Sequence, residues 1–377
     1  MALWPHYAAK EYVESLRTFV RENVSSHADA IDREDIYPVE IVKELARRGF
    51  SAITLPEKYG GGGKDFSYGV ALLEEVGYGS ASAAICLITI FQASTIINLF
   101  GRESLKDRYL PQFRQGLLSS YALTEANHGS DIRSLDTKAV RDGEEWVITG
   151  EKQFVTGGVA AELFVILAET GEGVSAFAVP ADAPRLSRYV GERSATWGLR
   201  NGPHVNLMLD GVRVPADHLI GVEGKGVRQA VTTLNYSRTL AAGVSLGIAR
   251  AAFDGALKHA KERVAFDVKV AEFQGIQWYF ADMLTRIDAA RLLIYKAAEA
   301  LTTGEDIARY GSEAKLMAST LATEVASTAV RICGVYGVTV NSPFGRYLRD
   351  AKAYEVGGGS VEILKNTIGK YLLKEVA

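Results

Sequence analysis

The chain changes its hydrophobic period twice along its length, and that order narrows the possible folds more than any other feature. Up to about residue 118, apolar residues recur at three- and four-residue spacing in Glu11–Val24 and Val39–Arg48, followed by the more uniformly apolar Tyr68–Val76 and Ala81–Leu99. That is the pattern of amphipathic and buried helices. From about 119 to 225 the runs are short and β-favouring: Glu145–Thr149, Leu163–Leu167, Ser175–Val179 and Val205–Leu209. Asp142-Gly143, Gly171-Glu-Gly173 and Asp210-Gly211 separate them as hairpin and turn signals, so a small antiparallel β domain is expected. Helical periodicity returns at about 226 in Gln229–Lys261, Ala271–Leu301 and Glu313–Ile332, with Gly304 and Gly334 at the expected ends. At 377 residues the chain exceeds the ~250–300 at which single cores divide. The expectation is an α+β protein with a helical domain at 1–118, a β-barrel-like domain at 119–225 and a helical bundle at 226–377.

Composition excludes several classes. A formal net charge of −3 with no run of Lys or Arg leaves no electrostatic footprint for nucleic acid or an anionic lipid surface. No apolar stretch of about 18 residues free of charge is expected, hence no membrane span, and the first residues lack the basic-then-apolar pattern of a secretory signal. Cys86 and Cys333 are too few for a disulfide framework and sit in apolar surroundings, which suits reduced core thiols in a cytoplasmic protein. The glycine run ending at Lys64 continues with Asp65 rather than Ser or Thr, so it reads as a turn and not a phosphate loop. No strand-linked GxGxxG calls for a nicotinamide site. His6, His27, His218 and His259 read as structural or solvated.

Five segments carry residue types suited to chemistry: Tyr121-Ala-Leu-Thr-Glu-Ala-Asn-His-Gly-Ser-Asp131, Gly150-Glu-Lys-Gln-Phe-Val-Thr-Gly-Gly158, Gly211-Val-Arg-Val-Pro215 with Gly221–Gly226, His259-Ala-Lys-Glu-Arg-Val-Ala-Phe266 with Phe273-Gln274, and the tail Arg346-Tyr-Leu-Arg-Asp-Ala-Lys-Ala-Tyr-Glu-Val-Gly-Gly-Gly-Ser-Val-Glu-Ile-Leu364. In order and spacing they resemble the signature blocks of the acyl-CoA dehydrogenase superfamily, over roughly residues 10–377. The resemblance implies that family's three-part fold, with a C-terminal four-helix bundle, and FAD as cofactor. It implies flavin contacts from Tyr121, Leu123, Thr124, Gly129, Ser130, Phe154 and Thr156, the last as donor to flavin N5. From a neighbouring subunit it implies Arg263, Phe266 and Gln274 on the FAD diphosphate and adenosine, where a guanidinium suits phosphate, and hence a homodimer or homotetramer. Arg331, Gly334, Ser360 and Glu362 complete the cofactor set. Ser130, Asn235, Arg238 and Gly359 fall where the family binds substrate.

The departures matter as much. The tail places Gly358 where much of the family has the Glu that removes the α-proton of an acyl thioester. The alternative Glu of other members, directly before an Arg on the first bundle helix, is Ser237 before Arg238. A serine hydroxyl is far too weakly basic to take a carbon-bound proton unaided. His128 replaces a small residue in the first segment, and imidazole titrates near neutral pH. It stands as a substitute base, a group serving oxygen chemistry, or a phosphate contact. Phe154 replaces a Trp, His204 a small residue, and Arg331 a Gln. The expected activity is FAD-dependent oxidation of an acyl thioester on CoA or an acyl carrier protein, off the main β-oxidation route, with an electron-transferring flavoprotein or O₂ as acceptor. A flavin-dependent oxygenase and a non-catalytic FAD-binding subunit are the alternatives.

Overall fold

The computed structural model describes residues 7–192 and 194–375; His6 lies outside them. Helices α1 Lys10–Phe19, α2 Ala28–Glu34, α3 Val39–Arg47, α4 Phe66–Gly79, α5 Ala81–Phe100 and α6 Glu103–Gln115 form the first part. Asp65 starts α4 by accepting from the backbone N–H of Ser67, and Ser80 starts α5 by accepting from that of Ala83. The strands β1 Ser119–Ala122, β2 Lys138–Asp142, β3 Glu145–Val155, β4 Leu163–Thr170, β5 Gly173–Pro180, β6 Leu186–Tyr189, β7 Val205–Pro215 and β8 Leu219–Ile220 follow. Helices α7 Gly226–Glu262, α8 Gln274–Thr303, α9 Ile307–Cys333, α10 Phe344–Tyr354 and α11 Val361–Glu375 close the chain. Between α7 and α8 lies a short ribbon, β9 Val264–Ala265 and β10 Val268–Lys269. Gly304 and Gly334 terminate α8 and α9 at positive φ, as their positions in the sequence suggested.

The strands pair in the order β6-β7-β3-β2-β4-β5-β8, with β1 against β4. The sheet is mixed rather than purely antiparallel, because β1 and β2 both run parallel to β4. The two-residue period of β4 explains how the sheet is fixed. Leu163, Val165 and Leu167 enter a core shared with α5 and α7, while Phe164, Ile166 and Ala168 enter a second core with Trp146, Phe177 and Leu207. Both faces are therefore covered, and the strand is a nearly continuous apolar run.

Two expectations are corrected. Asp210-Gly211 is not a hairpin turn: β7 runs through it, Val212 facing Ile148 and Asp210 facing Thr149. Gly211, at φ 73°, is the extra residue of a β-bulge, a second use of glycine's access to positive φ. The expectation that no charge-free apolar stretch reaches membrane-spanning length also fails. Helix α5 is 20 residues of mean hydropathy up to 1.9 without one Asp, Glu, Lys or Arg, and part of α7 also passes by length and composition. Those windows are 72% and 83% buried within the protein, so both are core helices here.

Candidate active site

The loop after β1 and the middle of β3 are cross-linked. The Lys152 ammonium, fully buried, donates to Glu125 Oε1 at 2.6 Å. The same carboxylate accepts from the backbone N–H groups of Asp136 and Thr137, and the Gln153 N–H donates to the Thr124 carbonyl. Burial pulls Lys152 down to about 8 against the pull of Glu125. Glu125 stays below the ordinary carboxylate range because Lys152 and the N–H donors outweigh its own burial. A buried pair with this many donors fixes geometry more than it adds stability. Here it sets Thr124 against Gln153, and so brings together the two segments singled out for the flavin.

Three features of that region suit a flavin. Tyr121 Oη is buried with no hydrogen-bond partner. Phe154 is held at φ 55° with 42% of its surface exposed, an unusual state for a bulky residue, and half-buried His204 hydrogen-bonds its backbone. Gly129 and Ser130 are exposed, with open space around Gly129. Leu123 and Thr156 are half-buried, and the Thr156 carbonyl accepts from Ser120 Oγ. His128 faces its own loop, Nε2 lying 3.5 Å from Asp136 Oδ1, so the structure joins it to Asp136 rather than to Ser237, Arg238 or Gly358. Glu125, His128 and Asp136 present ligand atoms within 4.8 Å of one another, but Glu125 is already occupied by Lys152.

A second cluster lies where α5, α7, α9 and the α10–α11 turn meet. Ser237 is buried on α7, accepts from Gln92 Nε2 of α5 at 3.3 Å and donates to the Leu234 carbonyl. Arg238 is 6% exposed, donates from Nη1 to Asn235 Oδ1 at 3.0 Å and from Nε to the Gly358 carbonyl at 3.3 Å. From α9, Lys315 Nζ donates to the Gly359 carbonyl at 2.6 Å with none of its surface exposed. Gly358 has φ 72° and nothing within 4 Å of the position a Cβ would take. Sequence reasoning found Asn235, Ser237, Arg238, Gly358 and Gly359 but not Gln92 or Lys315. Ser360 heads α11, its Oγ accepting from the Ile363 N–H at 3.5 Å, and Glu362 sits exposed in the first turn. The Arg-Asp pair of the tail has a positioning role: Arg349 donates to the Trp197 carbonyl and to Asp32, and Asp350 accepts from the Leu199 N–H.

Burial, with Arg238 beside it, brings Lys315 down to about 7 from the ordinary 10.5, against a smaller opposing pull from Glu355. Between those values the unfolded chain binds the extra proton, so this residue makes stability rise with pH through that window. Lys315→Met removes the titrating group. Its melting temperature relative to wild type is expected to be more favourable at about pH 6 than at about pH 9.5. Thermal unfolding of both proteins at the two values checks this, and a difference independent of pH would show that Lys315 titrates normally.

The remaining positions lie apart. Arg263, Phe266 and Gln274 are exposed at the α7–α8 tip, Phe266 by 90%. Arg331 and Gly334 are exposed at the end of α9, with Arg331 donating to Tyr279 Oη.

Three domain models match in order: the acyl-CoA dehydrogenase N-terminal domain at residues 8–116, the middle domain at 120–212 and the C-terminal domain at 224–373. The chain belongs to the acyl-CoA dehydrogenase family. It is 36% identical over 365 residues to an acyl-CoA dehydrogenase of Bacillus subtilis, covering 95% of this chain and 96% of the relative. To the cyclohexane-1-carbonyl-CoA dehydrogenase of Geobacter metallireducens it is 36% identical over 372 residues, 97% of each chain. The butyryl-CoA dehydrogenase structure from Megasphaera elsdenii superposes with a TM-score of 0.94 at 31% identity, over 98% of this chain and all of the other. Acyl-CoA dehydrogenases are FAD-dependent, and the protein is a flavoprotein oxidoreductase of that fold. Its homologues make it an acyl-thioester oxidoreductase.

Proposed function

We propose that the protein oxidises an acyl thioester, linked to CoA or to a carrier protein, without a carboxylate base at either position the family uses. One observation carries this: Ser237 is bound to Gln92 and a backbone carbonyl, and the place of the other base is open space beside Gly358. Bound FAD supplies a two-electron hydride acceptor. The protein's own groups orient the acyl chain: Gln92 and Ser237 give it polar contacts, and Arg238 holds the Gly358 carbonyl in place. A chain with no strong base suits a substrate whose α-proton is already acidified, which points to a specialised pathway, in the cytoplasm. The open space also favours a second reading, O₂ as co-substrate in an oxygenase. Anaerobic bleaching of the holoenzyme by an acyl-CoA, followed by parallel assays of dye reduction and O₂ consumption, tests both. Dye reduction without matching O₂ consumption supports the dehydrogenase and an electron-transferring protein as acceptor. Stoichiometric incorporation of oxygen into product supports the oxygenase. No bleaching by any thioester would defeat the dehydrogenase, and no oxygen incorporation by holoenzyme reduced beforehand with dithionite and then mixed with thioester and O₂ would defeat the oxygenase.

The bundle tip supports a homo-oligomer, dimer or tetramer, in which each chain completes its neighbour's cofactor site. Arg263 stands roughly 37 Å along α7 from Arg238 at 1.5 Å per residue, so it cannot close on the cluster of its own chain. Arg263→Ala is expected to weaken FAD binding roughly tenfold to a hundredfold, the value of a charge-assisted hydrogen-bond pair to phosphate. Fluorescence titration of apoprotein with FAD measures it. Unchanged affinity would remove Arg263 from the cofactor site.

A further inference from the structure

Two buried cations face the place where the family's carboxylate is missing, and among the described residues neither has an acid within ion-pairing distance. Arg238 is satisfied only by neutral oxygens, from Asn235 and Gly358, and Lys315 only by the Gly359 carbonyl. The acid that pulls on Lys315, Glu355 at the end of α10, is bound to Lys352 at 2.7 Å. Glu362 is exposed in the first turn of α11. Arg238 Nη2 approaches within 3.3 Å of the Cβ position at Gly359, so the guanidinium edge borders the turn itself. The turn leads into the N-terminus of α11, a 15-residue helix whose dipole adds positive potential there. Burying Arg238 with no counter-charge is costly, Lys315 adds a second positive charge once protonated, and in the same turn the Cβ position of exposed Gly358 has no heavy atom within 4 Å. An anion in that space would offset the cost.

We propose that the Gly358 turn is a carboxylate-binding site, with Arg238 as the contacting group and Lys315 as the charge behind it, and that the acyl thioester brings the carboxylate on its own acyl chain. The inference rests on the thioester reading above and narrows it to a substrate class: a short acyl thioester bearing a second, ionised carboxyl group. The same turn in a chain with Glu at 358 would be filled and neutralised from within. In this chain the side chain is absent and the cations remain.

The test is binding to the FAD-loaded enzyme, read by perturbation of the flavin absorbance and by calorimetry, with succinyl-CoA and butyryl-CoA as probes matched in chain length. Succinyl-CoA is expected to bind roughly tenfold to a hundredfold more tightly, the value of a hydrogen bond to a charged group in a buried site. Gly358→Glu is expected to abolish or invert the preference by filling the space and repelling the carboxylate. Arg238→Gln is expected to remove the preference too, and should that variant not fold, Gly358→Glu and Lys315→Met still decide, Lys315→Met by reducing the ratio of the two affinities. Sodium formate competing with succinyl-CoA but not with butyryl-CoA would support the site. Formate tightening butyryl-CoA binding while succinyl-CoA binds no better would place the anion in solution and overturn the substrate assignment. Equal affinities, unaffected by formate, would overturn the inference and leave the thioester reading standing. Binding of neither thioester would overturn both.

Discussion

Gly358→Glu is expected to raise turnover of a plain saturated acyl-CoA by about 10²–10⁴-fold, the usual worth of a positioned general base. Space permits the change: no heavy atom lies within 4 Å of the new Cβ. Backbone conformation opposes it, since φ is 72° and a side chain in the left-handed region costs roughly 1–2 kcal/mol. That cost falls on stability and is small against the gain in rate. The electrostatics are favourable, because Arg238 and Lys315 already border the turn and would hold the new carboxylate ionised. Steady-state dye reduction with butyryl-CoA measures the effect. Gly358→Gln is the control: it adds nearly the same volume without basicity, and is expected to leave the rate where it is. A folded, FAD-loaded Gly358→Glu protein that turns over no faster would show that base strength does not limit this enzyme.

The family and the order of the fold were legible because they rest on period and spacing, which the linear sequence carries directly. Ser237 and Gly358 could be found because each falls at a fixed distance from a recognisable neighbour, Arg238 and the Arg346–Lys352 run. Lys315 could not. In the sequence it is one cation in the amphipathic run Glu313–Ile332, the same as any solvated lysine, and only packing of α9 against the Gly358 turn buries it completely. Gln92 was hidden likewise, a single polar residue in a charge-free helix whose partner Ser237 lies 145 positions away. The Asp210-Gly211 signal failed for a local reason: a positive-φ glycine serves a bulge as well as a turn, and the difference lies in whether the partner strand continues. Glu125 and Lys152 stood in both flavin-related segments, but their ion pair links residues 27 apart and becomes visible only when β1 and β3 are in place. The second-chain role proposed for Arg263, Phe266 and Gln274 rests on their spacing in the sequence and their exposure at the tip.

The largest loss of stability is expected from Glu74→Ala, about 3–5 kcal/mol, the cost of breaking a buried ion network by removing one partner. Glu74 on α4 is fully buried, and its Oε1 accepts from Arg250 of α7 at 2.7 Å and from Arg291 of α8 at 2.6 Å. Neighbouring Glu75 accepts from Arg250 at 2.9 Å and from Arg17 of α1 at 3.1 Å. One pair of adjacent carboxylates therefore ties four helices through three guanidiniums. After truncation Arg250 keeps Glu75 and Arg291 keeps Asp288, whose side chain is half exposed, so the buried Arg291 guanidinium loses the fully buried carboxylate it donates to. Glu74→Gln is expected to cost a comparable amount, because it preserves volume and an acceptor oxygen while removing the charge that both arginines need. The urea midpoint of the holoprotein is expected to fall with the slope unchanged. A loss below about 1 kcal/mol would mean the network contributes no more than a surface pair. The consequence reaches function through α7, which carries Arg250 and, roughly 18 Å earlier along the same helix, Arg238. Fixing the rotation of α7 against α4 and α8 fixes where Asn235, Ser237 and Arg238 point. Loosening the network is therefore expected to weaken acyl-CoA binding in the fraction that remains folded, a coupling that a surface ion pair could not produce.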